Sequence, residues 1–244
     1  MGGKSKLAAT IIARLPAHTT YVEPFCGGCA VFLNKPRSRA EILNDTDNRL
    51  VTLLRVMRYH PDALLEEMQY LTHARQEFAD ALTQPGVTDI HRAARFLMVI
   101  KSCFGSRLSS PTFGCTKKEP ANFKITDIEK TVQLARERLD GVTIENLDFA
   151  DVIARYDSSD TLLYCDPPYI GTAGYACKFT MADHVRLRDC LNYAKGRVLV
   201  SLNDCDSVRE LYFGWDFSEV QVAYTIGRTT DRRKQNREVL ISKP

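Results

Sequence analysis

The sequence has no apolar run long enough to cross a bilayer. Its longest, such as Phe96-Leu97-Met98-Val99-Ile100, fall far short of the ~20 residues a spanning helix needs. The opening Met1-Gly2-Gly3-Lys4-Ser5-Lys6 leads into a short Leu/Ala/Ile stretch broken by Arg14, with neither the apolar core nor the cleavage site of a signal peptide. The expected location is therefore the cytoplasm, with no membrane partner. Internal repeats and low-complexity tracts are also missing, as is a G-x-G-x-x-G dinucleotide fingerprint. Gly3-Lys4-Ser5 resembles the end of a phosphate-binding loop, but the required earlier glycine would precede Met1 and no strand leads in. The eight cysteines are dispersed and carry no export signal, so free thiols are expected. One C-x-x-C occurs, Cys26 to Cys29, without a second such pair or a His pair to complete a zinc site, and no metal is expected.

What is present is ordinary in bulk and uneven in distribution. Of 244 residues, 44% are hydrophobic and 26% charged, which suits one large soluble domain or a core domain with an insertion. The net charge is only +3, yet residues 86–125 hold seven Lys/Arg against two Asp/Glu, and residues 226–237 five against one. These segments carry +5 and +4, leaving −6 for the rest, a pattern that suits a polyanion held at a defined place. Two solvated loops are the bland alternative. In the first segment Phe104, Phe113 and Phe123 are interleaved with the charges. Arg107 is the candidate for a base-edge contact, because its planar fork can bond two acceptors of guanine, and Lys117 and Lys118 are candidates for phosphates. Arg232 and Arg233 are the candidates in the second segment.

Hydrophobic periodicity alternates between strand and helix, which predicts a mostly parallel sheet with helices on both faces. Strands are expected at 20–22, 40–43, 142–144, 161–165, 197–201, 217–224 and 238–242. Helices are expected at about 29–33, 47–59, 61–82 and 90–101. The sequence Thr126-Asp127-Ile128-Glu129 reads as a capping box opening another helix, stopped at Gly141. Helical rhythm fails over 102–125, which reads as loop or short hairpin. The resulting division is an α/β domain of residues 1–60 and 126–244, interrupted by a largely helical insertion at 61–125.

Asp166-Pro167-Pro168-Tyr169 follows directly on the apolar stretch Thr161-Leu162-Leu163-Tyr164-Cys165. Ligands of open α/β sheets bind outside the carboxyl ends of strands, which places this turn where chemistry is expected. The prolines fix φ and lack N–H groups, so the turn offers carbonyl acceptors, and Asp166 before a proline is biased to extended backbone. An adenine N6 amine is a poor nucleophile because its lone pair is delocalised into the ring. An Asp166 oxygen and the Pro167 carbonyl can each accept an N6 hydrogen, drawing the nitrogen toward a tetrahedral shape aimed at a sulfonium methyl, while Tyr169 stacks on the ring. A tight surface turn is the competing reading.

A second constellation precedes it. Tyr21-Val22-Glu23-Pro24-Phe25-Cys26-Gly27-Gly28 is a strand, a glycine turn and a helix start, and Asp45 lies 17 residues past Gly28, where an acidic residue commonly binds ribose hydroxyls. A nicotinamide cofactor would use similar features. Cys26 and Cys29 could alternatively form a redox pair, since a helix N-terminus lowers a thiol pKa, although their surroundings do not reproduce a thioredoxin-like arrangement.

Taken together these residues resemble the Dam-like family (D12 class) of site-specific DNA adenine N6-methyltransferases. The likeness covers Gly2-Gly3-Lys4, Glu23-Pro24-Phe25-x-Gly27-Gly28, Asn44-Asp45, Asp148-Phe149, Asp166-Pro167-Pro168-Tyr169, then Thr172, Tyr175 and Phe179, and Asn236-Arg237-Glu238-Val239-Leu240-Ile241. It implies a Rossmann-like, seven-stranded S-adenosylmethionine-dependent methyltransferase sheet with an inserted, mostly helical target-recognition subdomain. Catalysis would fall to Asp166, Pro167 and Tyr169. Cofactor contacts would come from Lys4, Phe25, Cys26, Gly27, Gly28, Asp45 and Asp166, with Asp148 and Phe149 at the cofactor adenine. Tyr175 joins the DNA contacts. The implied partner is double-stranded DNA from which the target adenine flips, at GATC or a related short site, and no obligate protein partner is evident. The Asn-x-Pro-Phe-Gly run typical of GATC-methylating relatives stands here as Ser110-Pro111-Thr112-Phe113-Gly114, which leaves the target sequence open. A role in restriction–modification is compatible with this family. The alternatives are the same fold acting on cytosine N4, an RNA adenine or a protein amide, and, in other classes, a non-enzymatic DNA-binding module or the Cys26/Cys29 redox protein.

Overall fold

The computed structural model describes residues 4, 7–104, 111–115, 121, 123–171, 179–220 and 238–244. Two compact units account for the chain, Gly3–Asp45 with Leu147–Pro244, and Thr46–Asn146. Strands are β1 (Thr20–Glu23), β2 (Ala40–Asn44), β3 (Thr143–Glu145), β4 (Thr161–Cys165), β5 (Arg197–Asn203), β6 (Asp216–Val220) and β7 (Glu238–Ser242). Helices are α1 (Ala8–Ile12), α2 (Ala30–Asn34), α3 (Asn48–Tyr59), α4 (Pro61–Gln69), α5 (Arg75–Thr83), α6 (Asp89–Ser102), α7 (Ile125–Arg138), α8 (Phe149–Tyr156), α9 (Met181–Tyr193) and α10 (Asp206–Leu211).

Within the first-named unit the strands run in the order β2-β1-β4-β5-β7-β6. β2, β1, β4 and β5 pair in parallel, and β7 enters antiparallel between β5 and β6. Every residue of β4 and five consecutive residues of β5 are buried, as expected for central strands covered on both faces. Val22, Leu163, Val200, Leu202, Val239 and Ile241 from the sheet pack with Phe149, Val152 and Ile153 of α8, Leu187 and Leu191 of α9 and Val208 of α10. The chain leaves β1 toward β2 on one side and returns to β4 on the other. The carboxyl ends of β1 and β4 therefore flank a topological switch point, the usual ligand position in such sheets.

In the Thr46–Asn146 unit, α6 is apolar on nearly all sides and is packed by α3, α4 and α5, while α7 packs on α3 and α4. Helices α3 and α7 turn their buried faces to this unit's other helices. The single helix expected over 61–82 is broken at 70–74. There His73 stacks on Phe113 at 4.6 Å, and Ala74 takes an extended conformation ahead of α5. Thr126 to Glu129 does not cap α7. The helix starts at Ile125, and its N-terminal flanking residue Lys124 makes no side-chain capping bond. A genuine capping box opens α9, where Thr180 and Asp183 exchange side chain-to-backbone bonds. Among the described residues no helix is long and apolar enough to cross a membrane.

Candidate active site

The apolar run of β4 carries the chain through the sheet and delivers Asp166 at its carboxyl end. The Pro167 and Pro168 turn supplies no N–H donors, so it needs an outside anchor. Asn203, the last residue of β5, provides one: its Oδ1 accepts from the Ile170 N–H and its Nδ2 donates to the Ile170 carbonyl, both at 3.1 Å. This reciprocal amide pair fixes the backbone just past Tyr169.

Asp166 sits in a charged cluster. Lys4 Nζ lies 3.2 Å from Asp166 Oδ1 and donates to Glu238 Oε2 at 2.8 Å, Ser201 Oγ at 2.5 Å and the Tyr169 hydroxyl at 2.7 Å. The Tyr169 hydroxyl in turn donates to Glu238 Oε1 at 2.6 Å. Burial pushes the Asp166 carboxyl up to about 6; Lys4 opposes the rise and the Glu238 charge adds to it. Burial works to depress Lys4, but the carboxylates of Asp166 and Glu238 outweigh it and leave the ammonium above its ordinary value. Glu23, at the end of β1, is buried, which raises its carboxyl well above the usual range although Tyr21 donates to it at 2.9 Å.

The glycine turn after β1 is built from its backbone. The Cys26 N–H donates to the Asn44 carbonyl at 2.8 Å, and the Gly27 N–H to Asp45 Oδ2 at 2.9 Å. Gly27 has φ +43°, with nothing within 4 Å of where a Cβ would stand, so the turn presents bare backbone to open space. Asn44 ties the region together: Nδ2 donates to Pro24 O at 2.9 Å and Leu147 O at 3.1 Å, and Oδ1 accepts from the Leu147 N–H at 2.8 Å. Cys26 and Cys29 are both buried free thiols. A hydrogen bond with Cys29, and then burial, push the Cys26 thiol well up, the opposite of what a redox nucleophile requires.

Past Leu147, Asp148 caps α8 by accepting from the Ala150 N–H at 2.9 Å, and Arg186 grips its carboxylate at 3.0 and 2.7 Å. The Arg186 guanidinium lies 4.2 Å over the Phe149 ring. Phe149 is buried against Phe25 at 5.4 Å and Phe179 at 5.8 Å, so it acts as wall rather than exposed platform.

The structure thus brings Lys4, Asp166 and Tyr169 together around buried Pro167, joins the Phe25 to Gly28 turn to Asp45, and packs Phe149 on Phe25 beside Asp148. Arg107, Lys117, Lys118, Tyr175, Arg232 and Arg233 lie outside the described residues. Site residues that sequence reasoning did not single out are Glu238, Ser201, Asn203, Glu23 and Asn44. Glu23, Asn44 and Glu238 stood inside quoted motifs, and an acidic or amide residue at the edge of an apolar strand was the available signal. Among the described residues no group of three His, Cys, Asp or Glu is placed to hold a metal ion.

Comparison with known proteins places the chain in a family. The type II methyltransferase M.CviBI of Paramecium bursaria Chlorella virus NC1A is 24% identical over 231 residues, covering 91% of this chain and 88% of its own length. The retron Ec67 DNA adenine methylase of Escherichia coli is 25% identical, covering 98% of this chain and 88% of its own. A DNA adenine methylase of Vibrio cholerae serotype O1 is 27% identical over 98% of this chain and 92% of its own. The model of one family matches residues 1–226, and the chain belongs to that family, the D12 class N6 adenine-specific DNA methyltransferases.

Proposed function

We propose that the protein transfers the methyl group of S-adenosylmethionine to the exocyclic N6 amine of an adenine flipped out of double-stranded DNA. The observation that carries this reading is the Asp166 carboxylate at the end of β4, beside the Tyr169 ring and the Lys4 ammonium, at the switch point of the sheet. One Asp166 oxygen and the Pro167 carbonyl accept the two N6 hydrogens and hold the amine with its lone pair turned outward, and Tyr169 stacks on the base. As the N–CH3 bond forms, the amine sheds one proton, for which the Asp166 carboxylate is the near acceptor.

The residues present suit such a cofactor. Lys4 is cationic and Asp166 and Glu238 are anionic, so these three ion-paired groups carry −1, complementary to a sulfonium. The group supplies, when bound, an electrophilic methyl carbon on that sulfonium. The bare Gly27 backbone allows close approach, Asp45 accepts from ribose hydroxyls, and Phe25 and Asp148 face the adenine moiety, with Phe149 behind them. Asp45→Ala should weaken S-adenosylmethionine binding about 10- to 150-fold, the range for hydrogen bonds to a charged acceptor. Unchanged calorimetric affinity would remove Asp45 from the cofactor site.

For DNA, the reading rests on the helical unit. Cys103 and Phe113 form an antiparallel bridge, with Phe104 N–H to Thr112 O at 2.8 Å and Gly114 N–H to Ser102 O at 2.7 Å. His73, Phe78 and Arg75 hold the Phe113 ring. The described residues on either side of 105–110 therefore form a clamped stem. Arg107→Ala should cost a base contact worth about 1–3 kcal/mol and relax preference at one position, whereas loss of a phosphate contact weakens all sequences alike. Methylation profiling of a randomised duplex library reads the difference, and an identical profile in the variant removes Arg107 from base reading. The expected site is GATC or a relative of it.

The deciding experiment incubates wild-type protein with isotopically labelled S-adenosylmethionine and duplex DNA, followed by nucleoside mass spectrometry. Labelled N6-methyladenine is expected. Label on cytosine N4, on RNA alone, or on no nucleoside overturns the reading.

A further inference from the structure

The triangle formed by Lys4, Tyr169 and Glu238 is not required by the chemistry just described, yet it is the most heavily bonded part of the site. Glu238 comes from the first position of β7, 69 residues from Tyr169 and 234 from Lys4 in sequence, and its side chain is only 6% exposed. Its two oxygens do different work. Oε1 accepts the Tyr169 hydroxyl, and Oε2 takes Lys4 Nζ at 2.8 Å, closer than the 3.2 Å separating that ammonium from Asp166. Ser201, which lies opposite Leu240 on the neighbouring strand, takes a further Lys4 hydrogen.

An ammonium whose only counterion was Asp166 would close on it and occupy the oxygen that the target amine needs. We propose that Glu238 is a positioning residue for methyl transfer: it draws the Lys4 ammonium away from Asp166 and holds the Tyr169 ring through its hydroxyl, leaving one Asp166 oxygen free for the amine. This inference rests on the adenine-methyltransferase reading of the same site.

The chemistry of glutamine makes the test specific. Lys4 Nζ and the Tyr169 hydroxyl both present hydrogens to Glu238, and an amide has one acceptor oxygen where the carboxylate has two. Glu238→Gln therefore removes the charge and one of the two acceptor positions, while preserving shape. Lys4 then shifts onto Asp166. Among the described residues, the groups that interact electrostatically with Asp166 are Lys4, Glu238, Glu23 on β1, and Tyr164 and Cys165 on β4. Burial raises Glu23, Tyr164 and Cys165, and of the five groups only Lys4 and Glu238 join Asp166 in the ion-paired cluster. Removing the Glu238 charge relieves like-charge repulsion and stabilises ionised Asp166, which moves the acid limb of the rate profile to lower pH.

Single-turnover methylation of a duplex by the full chain, measured across pH for wild type, Glu238→Gln and Tyr169→Phe, tests this. Glu238→Gln is expected to slow methyl transfer about tenfold, the low end for a hydrogen bond to a charged acceptor, with a smaller loss of cofactor affinity. Its acid limb is expected to move down. Tyr169→Phe, which keeps the Glu238 charge, should lose rate while its acid limb stays in place. A Glu238→Gln rate and acid limb equal to wild type overturn the inference, as does a slower Glu238→Gln whose limb does not move, the mark of a merely structural role. If Glu238→Gln does not fold, an acid limb that shifts in Tyr169→Phe overturns it, and one that stays supports it. A wild type that methylates no adenine overturns the underlying reading and this inference with it.

Discussion

Asp166→Ala is expected to lower the rate of adenine methylation by about 100- to 1,000-fold, the cost of removing a preorganised group that acts where charge develops. The substitution deletes the one side-chain acceptor at the end of β4 while leaving the Asn203 anchor of the turn and the Asp45–Gly27 link untouched. Cofactor affinity should therefore fall far less than the rate. Asp166→Asn keeps one acceptor oxygen and should lose less. In the wild type, the rate needs ionised Asp166, whose carboxyl burial lifts to about 6. A group that must be deprotonated gives activity above its pKa and loses it below, so kcat/KM should fall tenfold per pH unit below about pH 6. A bound sulfonium favours the carboxylate, so the limb in kcat should lie lower still. Full activity of Asp166→Ala, or a kcat/KM flat down to pH 4.5, would sink the catalytic assignment.

The parts of this site that were legible in the sequence are those encoded by contiguous residues. Thr161–Cys165 and Glu238–Ser242 form strands at their expected bounds, because an uninterrupted apolar run before a polar or proline-bearing break fits a central strand and little else. The turn after β4 and the glycine turn after β1 follow from the same logic. The triangle around Lys4 was not legible, since its bonds join residues more than 60 apart and a lone Glu opening a strand is ordinarily solvated. Asn44 was quoted as part of a motif, but its bonds to Leu147 span 103 residues. The apolar stripe through 61–82 read as one helix, because periodicity does not register the pull of Phe113 on His73. Thr126 and Glu129 have the spacing of a capping box, yet the helix begins two residues further upstream, at Ile125, so Thr126 lies inside it and cannot cap it.

Asn44→Ala should destabilise the protein by about 3–6 kcal/mol, more than any surface substitution near the site. The side chain is 1% exposed and makes three hydrogen bonds, two to Leu147 and one to the Pro24 carbonyl. Each bond is worth about 1 kcal/mol net, and the Leu147 N–H left without its partner adds about 1–3 kcal/mol if water cannot replace it. Because Asn44 joins the end of β1 to the segment leading into Asp148, the variant also frees the two stretches assigned to the cofactor. Its affinity for S-adenosylmethionine should fall even where the protein remains folded. Asn44→Asp is the informative partner: a carboxylate keeps the acceptor for the Leu147 N–H but has no hydrogens for the carbonyls of Pro24 and Leu147. Two carbonyl oxygens would then face a buried negative charge, so Asn44→Asp should be no more stable than Asn44→Ala at neutral pH and should recover stability on acidification. A protonated carboxyl can donate to one of the two, and folding then favours the protonated form. Urea unfolding at pH 5 and pH 7.5 measures both effects. A loss below about 1 kcal/mol in Asn44→Ala, or an Asn44→Asp variant insensitive to pH, would show that the link between β1, β2 and the Asp148 segment does not depend on this amide.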